Sequence, residues 1–223
     1  MSKPSWDDYF LNIVLSVSER NNCNRGKCGC VFVKDNRILT TGYAGAPPKF
    51  KECIEVGDDL EERCRIMNSD QFKETFGLEP SYVNFTYKSV NYTWNEINKR
   101  FESEKKLHCV RTIHAEQNAI IQAAKYGISL NDSTLYVGLT PCRTCAMMLI
   151  SVGCKRVVCS KRYHAGAESI NMFNEAGIEI VHIDDEIAVY DNQSSVEISK
   201  ENGTVIVGDD LKYKYPLFSK FEV

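Results

Sequence analysis

No stretch of this chain approaches the ~20 consecutive apolar residues that a membrane-spanning helix needs, and the opening Met-Ser-Lys-Pro-Ser-Trp-Asp-Asp carries no apolar signal core. A soluble protein of the cytoplasm, with the nucleus also open to it, is the expectation. Basic charge is in short supply too: 27 Lys and Arg stand against 30 Asp and Glu, a formal net charge of −3. An extended phosphate backbone is usually met by a basic surface, which argues against a general nucleic-acid binder. A single nucleotide phosphate needs only one local cation. Internal repeats and low-complexity tracts are missing as well. The remainder is ordinary for a globular protein, 43% hydrophobic and 26% charged. Its 223 residues allow one well-filled domain, or one domain with an inserted subdomain.

What the chain does have is cysteine, ten in all. A reducing compartment disfavours a disulfide framework, so these thiols need another account. Two of them join a histidine in a pattern that carries chemistry: His114-Ala115-Glu116, and further on Pro141-Cys142-Arg143-Thr144-Cys145. Three protein ligands on Zn²⁺ leave a fourth tetrahedral position for water, whereas a four-cysteine set closes the site and makes it structural. His114, Cys142 and Cys145 therefore read as an open metal set. Zinc brings the pKa of bound water down to roughly 7, which makes hydroxide available as a nucleophile without strong base. Glu116, two residues from His114, reads as an unligated carboxylate. In that role it takes the water proton, passes it to a ring nitrogen and later protonates the departing ammonia. A bare C-x-x-C is also a redox pair and a lone histidine is usually surface or core. The combination is more restrictive, and H-x-E…P-C-x-x-C is the signature of the zinc-dependent nucleoside and nucleotide deaminases.

The flanking sequence places these groups on helices. From His114 the run Ala115, Ala119, Ile120, Ile121, Ala123, Ala124 is rich in helix formers and Gly127 supplies a stop. A second helix is predicted from Thr140-Pro141 through Ile150 to Gly153. Both ligand groups then sit at helix N-termini, where the dipole favours thiolate, and the i, i+3 spacing turns Cys142 and Cys145 to one face. Upstream, Trp6, Phe10, Ile13, Val14 and Val17 recur at helical spacing, and two strands, 28–33 and 37–43, flank a short hairpin loop at Lys34-Asp35-Asn36. Downstream come strands at 134–139, 156–160 and 178–183 with a helix over 165–176. This alternation predicts an α/β fold in which a central mixed sheet is flanked by helices, the hairpin antiparallel and the helix-linked strands parallel.

Residues 45–107 break the alternation and read as an insertion in a domain of residues 1–183. Within it, 58–67 and 94–106 look like charged helical pieces. The aromatics between them, Tyr82, Phe85, Tyr87, Tyr92 and Trp94, read as a satellite core or subunit contact, with a base-stacking platform as the other reading. Residues 184–223 form a C-terminal β-rich extension with strand candidates at 187–190, 196–198 and 204–207 and a turn at Asn202-Gly203. Among the other cysteines, Cys30 and Cys159 lie in apolar runs as buried small hydrophobes. Cys23, Cys53, Cys64 and Cys109, with His108, are candidates for a second, structural zinc, scattered free thiols being the alternative because the spacing forms no compact finger.

Several motifs taken in order make the resemblance narrower. Trp6-Asp-Asp-Tyr9-Phe10, Val31-Phe-Val-Lys-Asp-Asn-Arg-Ile-Leu39, Gly42-Tyr-Ala-Gly-Ala-Pro47, His114-Ala-Glu-Gln-Asn-Ala119, Leu135-Tyr-Val137, Pro141-Cys142-x-x-Cys145 and Lys161-Arg-Tyr163-His164 resemble the deoxycytidylate deaminase family. The likeness covers about residues 5–44 and 108–183. It implies a three-layer, cytidine-deaminase-like fold with a five-stranded sheet, and hydrolytic conversion of dCMP to dUMP and ammonia. It also implies a homo-oligomer, often a hexamer, with dCTP and dTTP as effectors. By position it assigns Lys125, and less strongly Arg111, to the substrate phosphate and Tyr163 to the nucleotide. The N–H of Ala115 and the carbonyl of Thr140 are assigned to the pyrimidine edge. One departure stands out: Ala44 replaces the asparagine of the family's Gly-Tyr-Asn-Gly. Losing one hydrogen-bonding partner costs on the order of 1–3 kcal/mol, enough to alter substrate choice. A deaminase of another cytosine nucleotide, such as a modified dCMP or dCTP, is the nearest rival reading. A non-catalytic nucleotide-binding zinc protein and a nucleic-acid editor are further ones.

Overall fold

A computed structural model describes residues 3–23, 26–57, 59–63, 66–77, 80, 84–87, 90–103, 106–163, 166–188 and 205–207. In chain order the elements are α1 (Trp6–Ser18), β1 (Gly29–Lys34), β2 (Arg37–Tyr43), α2 (Cys53–Val56), β3 (Leu60–Arg63), β4 (Ile66–Asn68) and α3 (Ser69–Phe76). There follow β5 (Phe85–Tyr87), β6 (Val90–Asn95), β7 (Arg100–Ser103), β8 (Lys106–Cys109), α4 (Ala115–Tyr126) and β9 (Thr134–Leu139). The last are α5 (Arg143–Ser151), β10 (Arg156–Lys161), α6 (Ala167–Glu175), β11 (Glu179–His182) and β12 (Val205–Val207). The chain divides into two compact units, one of residues 1–59 and 109–194, the other of residues 60–108 and 195–223.

The first unit is built on a five-stranded mixed sheet in the order β11-β10-β9-β1-β2. β1 is antiparallel to both β2 and β9, while β9, β10 and β11 run parallel, as expected for strands joined by helices. The β1–β2 hairpin turns at Asp35 and Asn36, both at positive φ (50° and 57°). These two residue types tolerate the left-handed region that a two-residue hairpin requires. Strand periodicity then sorts the side chains into two cores. On one face Cys30, Phe32, Leu135, Val137, Val157 and Cys159 pack with Ala115, Ala119, Leu149 and Phe173 from α4, α5 and α6. On the other face Val31, Val33, Tyr136 and Val158 pack with Phe10, Leu11 and Val14 of α1. Three layers result, with a strand buried on both sides at the centre: Cys30, Val31 and Phe32 are all fully buried. An ion pair locks α1 to the sheet. Arg156 donates to Asp7 from both terminal nitrogens at 2.8 and 2.9 Å, and the Tyr136 hydroxyl donates to the same carboxylate at 2.9 Å.

Within the second unit, β12, β5, β6, β7 and β4 form one sheet in that order, and β3 pairs with β8. The helices predicted over 58–67 and 94–106 are not formed. Trp94, Ile97 and Phe101 recur at helical spacing in a charged window, yet burial over 100–103 alternates as in a strand: Phe101 and Ser103 are buried while Arg100 and Glu102 are not. Glu102 moreover accepts from Asn95, Asn98 and Arg100, which stabilises the β6–β7 turn in place of a helix. The helix that does form, α3, starts on an Asn68–Gln71 capping box and stops at Gly77 in the left-handed region (φ 64°). Its Phe72 stacks on Phe101 at 4.5 Å between ring centroids, and Trp94 meets Phe101 at 4.9 Å. These aromatics, with buried Tyr92, are the unit's own core. Of the three tail strand candidates, 204–207 appears as β12 alongside β5 and Ile187 makes an isolated bridge with Arg162. The segment 196–198 lies outside the described residues. No helix among the described residues is long and apolar enough to cross a membrane.

Candidate active site

The chemistry-bearing residues converge at the N-termini of α4 and α5, over the ends of β2 and β9. α4 presents Ala115, Ala119 and Ala123, four residues apart, to the sheet. Small side chains let the helix come close, and Gly42 of β2 lets it come closer. A Cβ at Gly42 would lie 2.1 Å from the carbonyl oxygen of Ala115 and 2.7 Å from the nitrogen of Ala119. Only glycine fits there. Two further ties fix the start of the helix. Ile113 and Gly45 exchange main-chain hydrogen bonds at 2.9 and 3.2 Å, and the Asn118 side-chain amide donates to the Tyr43 carbonyl at 2.8 Å. His114 is the N-cap, in extended conformation, and its N–H donates to the Gln117 side chain at 3.1 Å.

α5 starts at Arg143, two to three residues after the predicted Thr140-Pro141 start. Cys142 takes the N-cap position in extended conformation, its carbonyl accepting from Ala146 at 2.8 Å. Cys145 thus stands at the third helical position, and both thiols remain at the positive end of the helix. His114 Nδ1 lies 3.5 Å from the Cys142 sulfur and 3.5 Å from the Cys145 sulfur. Zinc–nitrogen bonds of about 2.0–2.1 Å and zinc–sulfur bonds of about 2.3 Å, set at the tetrahedral angle, place nitrogen and sulfur about 3.6 Å apart. The donor set fits zinc in identity and in spacing. Among the described residues it is the one group of three metal-type ligands whose donor atoms lie within 4.8 Å of one another.

The electrostatics agree with a thiolate site. A hydrogen bond from Cys145, reinforced by His114, lowers the Cys142 thiol to about 4, and the same contact together with burial pushes Cys145 up. With zinc held by this set both thiols would be deprotonated, since a coordinated thiol loses its proton outright. Glu116 points into the same place. It is 4% exposed, and burial holds its carboxyl above the usual carboxylate range. A carboxyl so placed takes and returns a proton more readily near neutral pH than an exposed one.

The other predicted residues are placed as follows. Ala115 is fully buried in the first turn of α4, and Thr140, 3% exposed, follows the end of β9 just before the cysteine helix. The main-chain N–H of Tyr163 donates to the Thr140 hydroxyl at 3.2 Å, which brings both to one spot. Ala44, 7% exposed, continues β2 and donates to the Cys28 carbonyl at 2.9 Å. Lys125 is not brought to the metal end. It lies ten residues along α4 from Ala115, about 15 Å at the helical rise, with its ammonium over the Tyr126 ring at 5.4 Å. Arg111 lies three residues before His114, its Nη2 3.6 Å from Asp59 and its Nε buried with no hydrogen-bond partner. Of the second metal set, the Cys53 and Cys109 sulfurs approach to 3.8 Å, each also near the Thr112 hydroxyl. Cys23 does not complete a three-ligand group with them. His108 lies in β8, and Cys64 falls outside the described residues. Sequence reasoning overlooked Gly42 and Asn118, which hold the catalytic helix in place. The smallness of Gly42 inside a strand was the available signal.

Comparison with known proteins agrees with this geometry. Residues 4–161 match the family described as the cytidine and deoxycytidylate deaminase zinc-binding region. The deoxycytidylate deaminase of Mycobacterium phage D29 is 31% identical over 161 residues, covering 72% of this chain and 98% of that protein. The deoxycytidylate deaminase of Saccharomyces cerevisiae is 28% identical over 180 residues, 81% of this chain. The chain spans less than half of that yeast protein, 45% of its length. In fold it is similar to the dCMP deaminase of cyanophage S-TIM5, whose crystal structure is a complex with dCMP and dUMP. The TM-score is 0.53 at 20% identity, over 82% of this chain and 100% of that one. With that family matched over residues 4–161, well over half of the chain, and a His–Cys–Cys cluster fit for zinc gathered within them, this chain belongs to the cytidine and deoxycytidylate deaminase family.

Proposed function

We propose that this protein hydrolyses dCMP to dUMP and ammonia. The reading is carried by one observation: a buried carboxylate, Glu116, stands two residues from one ligand of an open His–Cys–Cys cluster, in a chain whose well-covered relative is a deoxycytidylate deaminase. Zinc, when bound, supplies a water acidic enough to react at neutral pH. The protein's own residues do the rest. Glu116 accepts a proton from water and delivers it to the ring nitrogen beside the amino-bearing carbon, then takes the second proton from the hydroxyl now on that carbon and gives it to the departing amine. The Ala115 N–H, one of the first-turn donors that a helix leaves without an intrahelical acceptor, and the Thr140 carbonyl hold the pyrimidine edge. Tyr163 stands beside the nucleotide. Lys125, and less strongly Arg111, is the cation assigned to the phosphate by family resemblance. Water adds its oxygen to the base and ammonia leaves, so no oxidant or second substrate is consumed.

The same reading includes a homo-oligomer, a hexamer by family resemblance, with dCTP and dTTP as effectors. It places the protein in the cytoplasm and keeps Cys23, Cys53, Cys64, His108 and Cys109 as candidates for a second zinc. The substitution at Ala44 favours a second substrate reading, deamination of dCTP or of a modified dCMP. Purified protein loaded with zinc is expected to release ammonia from dCMP faster than from dCTP or 5-methyl-dCMP. Glu116→Ala is expected to abolish turnover at unchanged zinc content. Loss of the metal in that variant, or a preference for another nucleotide, overturns the assignment concerned.

A further inference from the structure

His182 is the last residue of β11, the edge strand, and pairs in register with Cys159 of β10. From there its Nε2 reaches 3.0 Å from the Thr140 hydroxyl oxygen. That oxygen also accepts the Tyr163 N–H at 3.2 Å, and the Thr140 N–H donates to the Lys161 carbonyl at 3.2 Å. A threonine hydroxyl has one proton and two lone pairs. The Tyr163 N–H can only donate, so one lone pair is taken, and the hydroxyl meets Nε2 as donor or as acceptor according to the imidazole tautomer. Burial, with the charge of Arg162, favours the neutral imidazole, against a smaller opposing effect of Asp185. The result is a hydrogen-bonded network that joins the Tyr163 N–H, the Thr140 hydroxyl and His182. Gly166 closes the fourth side. A Cβ there would fall 2.8 Å from the Thr140 methyl carbon, so the loop before α6 packs directly on Thr140.

We infer that His182 is a positioning residue of the nucleotide pocket, holding the Thr140 carbonyl and the Tyr163 segment in place through the Thr140 hydroxyl. The inference rests on the proposed deamination. Thr140 is 3% exposed and precedes Pro141-Cys142, and a threonine hydroxyl left without its partner in such a place can rotate or draw in water. The Thr140 carbonyl then loses its fixed direction. Because that carbonyl serves substrate and transition state alike, its displacement weakens binding more than turnover.

The test uses the full chain loaded with zinc and compares wild type, His182→Ala, His182→Gln, Thr140→Val and the double variant His182→Ala/Thr140→Val. Metal content, kcat and KM for dCMP are measured for each. His182→Ala is expected to raise KM about tenfold with kcat within threefold of wild type and zinc retained. His182→Gln, whose amide reaches the same position, restores most of the loss. The double variant is expected to be no worse than the poorer single variant, the non-additivity of two groups acting as one unit. A purely structural role lowers the active fraction instead, so a fall in kcat at unchanged KM, or additive losses in the double variant, overturns the inference. So does a KM within twofold of wild type in His182→Ala, and in that case dCMP turnover by wild type leaves the functional reading standing. A wild type that releases no ammonia from dCMP overturns the functional reading, and the inference falls with it.

Discussion

Gly42→Ala is a single-methyl perturbation aimed at the joint between sheet and catalytic helix. The added carbon would lie 2.1 Å from the Ala115 carbonyl oxygen and 2.7 Å from the Ala119 nitrogen, where ordinary contact is 3.4–4 Å. Both obstacles are main-chain atoms of α4, so no side-chain rotation relieves them. The first turn of the helix must retreat by more than an ångström, carrying His114, Ala115 and Glu116. Overpacking of this kind costs about 1–3 kcal/mol, and about 1 Å of misplacement in a reacting group costs on the order of 10²-fold in rate. The expected outcome is a kcat/KM for dCMP lowered about a hundredfold with reduced zinc affinity. Thermal denaturation should fall by about 3–9 °C for a domain of this size. Gly138→Ala is the control. It changes the same residue type in β9, two strands away, but its Cβ meets nothing within 4 Å, so activity should stay within about threefold of wild type. If Gly42→Ala keeps its zinc and its kcat/KM to within threefold, the close β2–α4 approach is not what places the site, and the reasoning fails.

Cys145→Ala removes one of three donors clustered with His114 Nδ1 and should purify with no more than background zinc and no activity. Retention of a full equivalent of metal would refute the ligand set. Asp7→Asn breaks the ion pair between α1 and Arg156, whose side chains are only 26% and 25% exposed. Chemical denaturation at pH 7 should show a loss of about 1.5–3 kcal/mol, the range for hydrogen bonds to a charged group. The pH dependence follows from the sign of the shift: hydrogen bonds from Arg156 hold Asp7 below its ordinary 3.8. Its contribution is therefore fully present above about pH 4 and is lost as the pH falls through the lowered folded-state value. The stability gap between wild type and Asp7→Asn should stay constant from pH 7 to pH 5 and close below pH 4. A gap that widens on acidification contradicts the assignment.

How much was legible depended on the range of the signal. The central sheet was readable because 29–34, 134–139 and 156–161 carry short continuous apolar runs, the mark of strands buried on both faces, and their burial follows those runs. Over 94–106 the sequence pointed to a helix because Trp94, Ile97 and Phe101 recur at helical spacing among charges, whereas pairing with neighbouring strands set the conformation of β6 and β7. The start of α5 was misplaced because proline favours a first turn, yet Cys142 in extended conformation is the actual cap. The zinc set was readable because ligands at fixed short spacing on helix N-termini are a local chemical pattern.

Residue types and their local order determined by themselves which elements form, which faces are apolar and which three side chains are fit for zinc, since each of these depends on neighbours within a few turns or strand steps. Tertiary structure alone decided which distant residues serve that site. Gly42 against Ala115, Asn118 on Tyr43 and His182 on Thr140 are meetings between separate elements brought together by the strand order of one sheet. No spacing in the chain encodes them, because the contacts arise only when the apolar faces of those elements are buried together.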